Sequence, residues 1–269
     1  MKKQRCIYIL LLSIISLILP SIKLEAQESR MIDYSYRSHM IGIGAVQSYD
    51  TYLSPLNYKG TGFNYMYETL RKRDDNKLMY QHLFNLDFAS SSNPSGTANC
   101  LMGGIEYNFG LYHRLYKNEG LELAAGGQID ALFGVLYNSR NGNNPASPKI
   151  HLNLNMSAIA SYSFKLFEHS FMLRYQINLP FAGLMYANDF GQSYYEMDLT
   201  GYTGLFHFSS FHNQLMMRNI LSLDYCDNHH TFRIAYMNNS YGTHINDLET
   251  RVLSNTFLIG ITKMFSLSK

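Results

Sequence analysis

The chain has 269 residues, a formal net charge of +2, only 16% charged side chains, 22 Tyr, 16 Phe and no Trp. That charge density is well below the quarter usual in soluble globular domains, so the predicted surface is poorly hydrated. No Lys/Arg block or spaced basic helix offers a footing for a nucleic-acid partner, and no shift in composition marks a linker, so a single folded domain is expected.

Met1-Lys2-Lys3-Gln4-Arg5 is basic, Ile7 to Leu19 is an almost unbroken apolar run, and Ser21 to Ala26 leads to a small residue suited to cleavage. This pattern predicts a signal peptide over 1–26, because the apolar run is shorter than the roughly 20 residues a spanning helix needs. Cys6 lies at the start of the apolar stretch and not at its end, which argues against a lipid anchor. Residues 27–38 are then a periplasmic N-terminal segment, and 39–269 form the folded body.

After residue 30 no stretch keeps the three-to-four spacing of an amphipathic helix, whereas two-residue alternation recurs. Strands are expected at 39–49, 58–71 and 78–90, followed by one where Leu101, Ile105, Tyr107, Phe109 and Leu111 alternate with Glu106, Asn108 and Tyr112. From Leu121 to Tyr137 the odd positions are apolar and the even ones include Glu122, Gln128 and Asp130. From Ile150 to Phe164 the parity switches, with His151, Asn153, Asn155 and Ser157 on the wet face. Phe171, Leu173, Tyr175, Ile177 and Leu179 alternate with Arg174, Gln176 and Asn178. Further strands are expected at 214–226, 231–238 and 254–265, which makes about ten.

Connections at 71–77, 117–120, 167–170 and 227–230 are short and polar, and longer ones fall at about 50–58, 90–98, 138–149, 187–213 and 239–253. Short turns on one side and long loops on the other describe an antiparallel transmembrane β-barrel with periplasmic turns and extracellular loops. A soluble lipocalin-like barrel would carry Lys and Glu on its polar face. Here that face is mostly Gly, Asn, Ser, Gln and Tyr, as suits a lumen. The expected location is the outer membrane, reached by signal-directed export. Outer-membrane lipid and, during insertion, the barrel-assembly machinery are the expected partners, and a monomer is the expected state.

The connection Tyr137-Asn-Ser-Arg-Asn-Gly-Asn-Asn-Pro-Ala-Ser-Pro-Lys149 could be taken for a phosphate loop, but a strand follows it, not the helix whose N-terminus such a loop needs. Its Asn, Gly and Pro residues explain a tight self-bonded turn. Arg140, Asn141, Asn143, Asn144 and Lys149 are the candidate extracellular residues, with Arg140 and Lys149 expected to meet surface polysaccharide or lipid phosphate. The 187–213 connection, with Phe190, Tyr194, Tyr195, Tyr202, Phe206, Phe208 and Phe211, is too aromatic for a solvated loop. It is expected to be a lid on the lumen, an added hairpin that raises the count to twelve, or a set of stacking rings for sugar or lipid.

Four motifs, Tyr52-Leu-Ser-Pro-Leu-Asn-Tyr-Lys-Gly60, Asn138-Ser-Arg-Asn-Gly-Asn-Asn-Pro-Ala-Ser147, Gly191-Gln-Ser-Tyr-Tyr-Glu196 and Phe211-His-Asn-Gln214, resemble a family of exported proteins known as domain of unknown function 3316, found in Gram-negative gut anaerobes. The resemblance runs over essentially the whole mature chain. It implies a shared barrel and supplies no activity or catalytic residue.

By parity Glu68, Asp87, Glu106, Glu122 and Asp130 from the N-terminal half, and Arg174, Arg218 and Arg233 from the C-terminal half, point into the lumen. An unpaired charge in a confined lumen is costly, so these groups are expected to form an ion-pair network that plugs the barrel. Cys100 and Cys226 fall near opposite ends of the barrel and are expected not to bridge. His229-His230 lacks a third ligand, so no metal or other cofactor is expected. A surface hydrolase would draw on Ser209, Ser210 and His212, or Ser193 and His207, none at a spacing that chemistry demands. The leading expectation is a barrel that binds or passes a small solute or lipid. A hydrolase acting on lipid or envelope peptide, or a structural or adhesive envelope protein, are the alternatives.

Overall fold

The computed structural model describes residues 32–73, 77–189, 191–200, 204–226 and 231–268. The predicted signal peptide over 1–26, His229-His230, Phe190 and Tyr202 lie outside the described residues. Among the described residues eleven strands form one closed antiparallel sheet: β1 (Ile32–Asp50), β2 (Ser54–Arg73), β3 (Leu78–Ser92), β4 (Asn99–Lys117), β5 (Leu121–Asn138), β6 (Ala146–Leu166), β7 (His169–Tyr186), β8 (Phe206–Ser210), β9 (Gln214–Cys226), β10 (Thr231–Ile245) and β11 (Leu248–Ser268). One short helix, α1 (Tyr194–Thr200), precedes β8.

Apart from β8 and β9, neighbours in sequence pair all the way round, and β1 closes on β11 from Ile32↔Ser268 to Asp50↔Thr250. β8 and β9 both pair with β7, so they occupy one strand position and the barrel has ten. The aromatic 187–213 stretch therefore supplies a helix and a strand extension, not the additional hairpin of a twelve-stranded barrel.

The alternation read from the sequence is the alternation of the wall. Ile43, Phe133 and Phe257 are each more than 60% exposed on the outside, while Gln128, Asn153 and Gln176 on the facing parity are almost wholly buried. Strands of 13 to 21 residues, apart from the five of β8, exceed the 9–11 that cross a bilayer, so their polar ends project beyond it. This shortens the connections. At one end of the barrel 93–98, 139–145, 187–189 and 204–205 remain as loops, while 51–53 and 246–247 are tight turns. Both ends of the sheet, at Ile32 and Ser268, lie at the opposite end with the short turns.

The outer wall carries one polar line. Asn219, Asn238 and Asn255 are register partners on β9, β10 and β11. Asn219 Nδ2 donates to Asn238 Oδ1 (3.3 Å) and Asn238 Nδ2 to Asn255 Oδ1 (2.8 Å), while the Tyr175 and Tyr236 hydroxyls donate to Asn219 and Asn255, each at 2.7 Å. The line thus satisfies most of its own hydrogen bonds in an otherwise apolar belt.

Candidate functional site

The lumen holds the charged residues in tiers whose order can be followed along single strands: on β4, Glu106 lies toward the loops, then Tyr112, then Arg114 toward the turns. The middle tier is the most connected. Glu68 on β2 accepts from Arg174 Nη2 on β7 (2.6 and 2.7 Å), from Arg233 Nη1 on β10 (2.7 Å) and from Gln81 Nε2 on β3 (2.5 Å). Arg233 also grips Asp224 on β9 through Nε (2.5 Å) and Nη2 (2.7 Å), a bidentate fork that suits a planar guanidinium.

Beside this pair Gln81 and Gln176 exchange amide hydrogen bonds at 2.9 Å, and Tyr112 donates to Gln81 Oε1 at 2.7 Å. Gln128 Nε2 reaches both Tyr112 Oη and Gln81 Oε1, at 2.7 and 3.0 Å. Side chains from β2, β3, β4, β5, β7, β9 and β10 thus meet across the lumen. Gln81, Tyr112 and Gln176 have no measurable exposure.

Toward the loops, Arg218 binds both oxygens of Glu106, and Asp130 Oδ2 lies 3.4 Å from His151 Nε2 and accepts from Asn155 Nδ2, also at 3.4 Å. Asp87 accepts from Asn64 Nδ2 at 2.8 Å. Asp87, Glu106, Asp130, His151, Asn155 and Arg218 line a cavity of about 100 Å³ whose wall also includes Met102, Leu132, Leu136, Met216 and Val252. Toward the turns, Glu122 pairs with Lys72 (3.0 Å) and Arg114 (3.4 Å) beside a more polar cavity of about 260 Å³.

Of the residues singled out by sequence, Glu68, Arg174 and Arg233 meet in one tier and Glu106, Arg218 and Asp130 in another. Glu122 stands in the third, and Asp87 makes an amide contact with no ion-pair partner at bonding distance among the described residues. Asp224, Lys72, Arg114 and His151 escaped the charge reading. The parity that put Arg218 inside would have placed Asp224 on the same face of β9, six residues on.

One assignment requires correction. Lys149 is not an extracellular loop residue: β6 begins at Ala146, so Lys149 lies within the strand and faces inward, with Nζ 2.8 Å from Asp50 Oδ2 and donating to Thr250 Oγ1 at 3.0 Å. Pairing of Val135 with Pro148 and Gly134 with Lys149 carries the ladder through a segment whose prolines and lysine suggested a loop. Arg140, Asn141, Asn143 and Asn144 do sit in the 139–145 loop. Arg140 Nη1 donates to the Thr97 carbonyl (3.2 Å). Asn141 Oδ1 accepts the amides of Asn143 and Asn144, and its Nδ2 reaches the Leu53 carbonyl at 3.3 Å.

The loops hold one another over the mouth. The Tyr52 hydroxyl and Asn144 Nδ2 both donate to the Gln192 carbonyl (2.9 and 3.4 Å), Asn246 Nδ2 donates to Asp189 Oδ1 (2.7 Å), and the Tyr194 hydroxyl donates to the Ala146 carbonyl (2.6 Å). Ser193 caps α1: its hydroxyl and backbone amide both donate to Glu196, which holds that carboxyl below its usual range.

The serines weighed for a hydrolase are otherwise engaged. Ser210 Oγ donates to the Phe181 carbonyl (2.9 Å), Ser209 Oγ faces Asn153 Oδ1 (3.5 Å), and His212 stacks on Phe208. Cys100 and Cys226 are both free, as their separation predicted.

Among solved structures the chain is similar to the transport unit of the autotransporter AIDA-I from Escherichia coli, at 8% identity over 94% of each chain with a TM-score of 0.45. It is also similar to the translocator domain of autotransporter NalP from Neisseria meningitidis (10% identity, 98% of each chain, TM-score 0.37). The COG4313 outer membrane channel from Pseudomonas putida F1 matches at 10% identity over 92% of this chain and 100% of that one, with a TM-score of 0.31. No curated protein is similar at a significant level. The family described as "Protein of unknown function (DUF3316)" matches residues 7–269, and the chain belongs to that family.

Proposed function

We propose that this protein is an outer-membrane barrel plugged at mid-height, which holds or passes a small solute or lipid through the chamber above the plug. The observation that carries this reading is the Glu68–Arg174–Arg233–Asp224 tier with its Gln81–Tyr112–Gln176 companion, which spans the lumen with hydrogen-bonded side chains. Narrow barrels are filled by their own side chains, and a network of charges paired in this way opens only at the cost of leaving them buried without partners. With the sheet ends on the short-turn side, that side is periplasmic and the loop end is extracellular. Export by the 1–26 signal, insertion by the barrel-assembly machinery, a surround of outer-membrane lipid and a monomeric state complete the reading.

Release of a trapped small dye from proteoliposomes tests it. Wild-type barrels should retain the dye as protein-free vesicles do, and a Glu68→Ala, Asp224→Ala variant should leak. Free leakage through the wild type would overturn the plug.

A further inference from the structure

The barrel wall is interrupted at one place. β7 is bonded to β9 from Ser170↔Cys226 up to Asn178↔Arg218, and to β8 from Ala182↔Ser210 up to Tyr186↔Phe206. Between those ladders residues 179–181 of β7 face residues 211–217 with no ladder pair, and the Phe181 carbonyl is met by Ser210 Oγ. Elsewhere among the described residues, adjacent strands keep continuous registers apart from small shifts at Ser48/Asp50, Arg114/Tyr116 and Leu154/Asn155.

Local chemistry explains the gap. Pro180 has no N–H to give to a ladder. Residues 211–213 turn back on themselves, with Asn213 N donating to the Ser210 carbonyl (3.0 Å) and Ser210 N to Asn213 Oδ1 (2.9 Å). The Leu154/Asn155 shift on β6 falls opposite Pro180 and leaves Phe181 without a register partner there. A backbone left unpaired at membrane depth is tolerated only against protein or a cavity.

A cavity does lie behind it. Pro180, Met216 and Met217 belong to the lining of the 100 Å³ chamber. On the outside the gap is rimmed by Phe181, Leu215 and Met217, all exposed to the apolar belt, and on the inside by buried Pro180 and Met216. The chamber lining is apolar from Pro180, Met216 and Met217 to Leu132 and Met102, whereas toward the loop end it includes Lys149, paired with Asp50. Inside the chamber Asp130 Oδ1, Asn155 Oδ1 and Asn178 Nδ2 are buried without hydrogen-bond partners.

We infer that the gap between β7 and β9 is a lateral port, through which a small amphipathic molecule dissolved in the bilayer enters the chamber, its apolar body against Met102 and Leu132 and its polar end on Asp130, Asn155 and Asn178. The inference rests on the chamber reading above and adds the direction of entry and the class of ligand.

The test uses the full barrel in proteoliposomes and two photoreactive phenyldiazirines, one apolar and bilayer-dissolved, the other a charged, membrane-impermeant analogue, with labelled residues identified by mass spectrometry. The port predicts that the apolar reagent labels Met216, Leu132 and Met102 as well as the outer belt. Chamber labelling should be lost in Met216→Trp, or in Met217→Trp should the first variant not assemble, with belt labelling unchanged. Chamber labelling by the charged reagent alone would overturn the port and leave a chamber filled from the loop end. Absence of chamber labelling by both reagents would overturn the port and the chamber together.

Discussion

Glu68 is the residue on which the middle tier converges, since it accepts from two guanidinium groups and an amide while almost wholly buried. Glu68→Ala leaves Arg174 and Arg233 without their shared partner, and breaking a buried pair from one side costs about 3–5 kcal/mol. Urea unfolding in vesicles should show a loss of that size, and a loss below about 1 kcal/mol would place the tier among weakly coupled surface pairs. At the mouth, burial, reinforced by the Tyr194 and Tyr186 phenols, pushes the Tyr52 hydroxyl up to about 12 from 10.0. An acid whose pKa rises on folding stabilises while protonated, so this contribution is complete below about pH 10 and is lost as pH climbs through about 12. The phenolate absorbance titration of wild type minus Tyr52→Phe should therefore show a component at about 12, not 10. In the turn between β6 and β7, Phe167 and Glu168 both have positive φ, 49° and 66°. A non-glycine residue in that region costs about 1–2 kcal/mol, so Glu168→Gly should raise stability by about 1 kcal/mol, read from the same unfolding curves. Glu68, Arg174 and Arg233 could be placed by counting alternate residues. Which of them would touch could not, because reach across a lumen depends on tilt and stagger that a single strand does not carry.

At the scale of elements, the asparagine line on β9, β10 and β11 makes a paired prediction. Asn238→Ala alone strips partners from Asn219 and Asn255 in an apolar belt and should destabilise by about 1–3 kcal/mol. Replacing all three by Leu removes the polar groups together and should be neutral or stabilising. Destabilisation by the triple variant larger than by the single one would mean that the line meets something outside the barrel. All ten strand positions could be read from alternation, whereas strand ends could not. Ser90, Ser92, Asn99 and Asn138 continue the ladder above the apolar belt, where both faces are polar and the period of two disappears. The same loss of signal hid Lys149 in β6. The hairpin at Asn246-Asp247 was read as part of a long loop, although both residues tolerate the positive φ (53° and 58°) that a two-residue turn requires. β7 runs past Pro180 to Tyr186, paired there with β6 on one side and β8 on the other, beyond the alternation that ends at Leu179.

At the scale of the molecule, closure of β1 on β11 explains why acids of the N-terminal half find cations of the C-terminal half: Arg174, Arg233 and Arg218 reach carboxylates more than 100 residues away in sequence. The charge asymmetry along the chain becomes, once the sheet closes, a set of bridges between opposite walls. Two chambers then lie on either side of the middle tier, the one toward the loops largely apolar and the one toward the turns polar. Whether the middle tier interrupts the lumen is the claim on which the functional account depends. Single-channel recording in planar bilayers tests it most directly: the account predicts no steady conductance from the wild-type barrel and the appearance of open levels in Glu68→Ala, Asp224→Ala, whereas large, steady conductance from the wild type would contradict it.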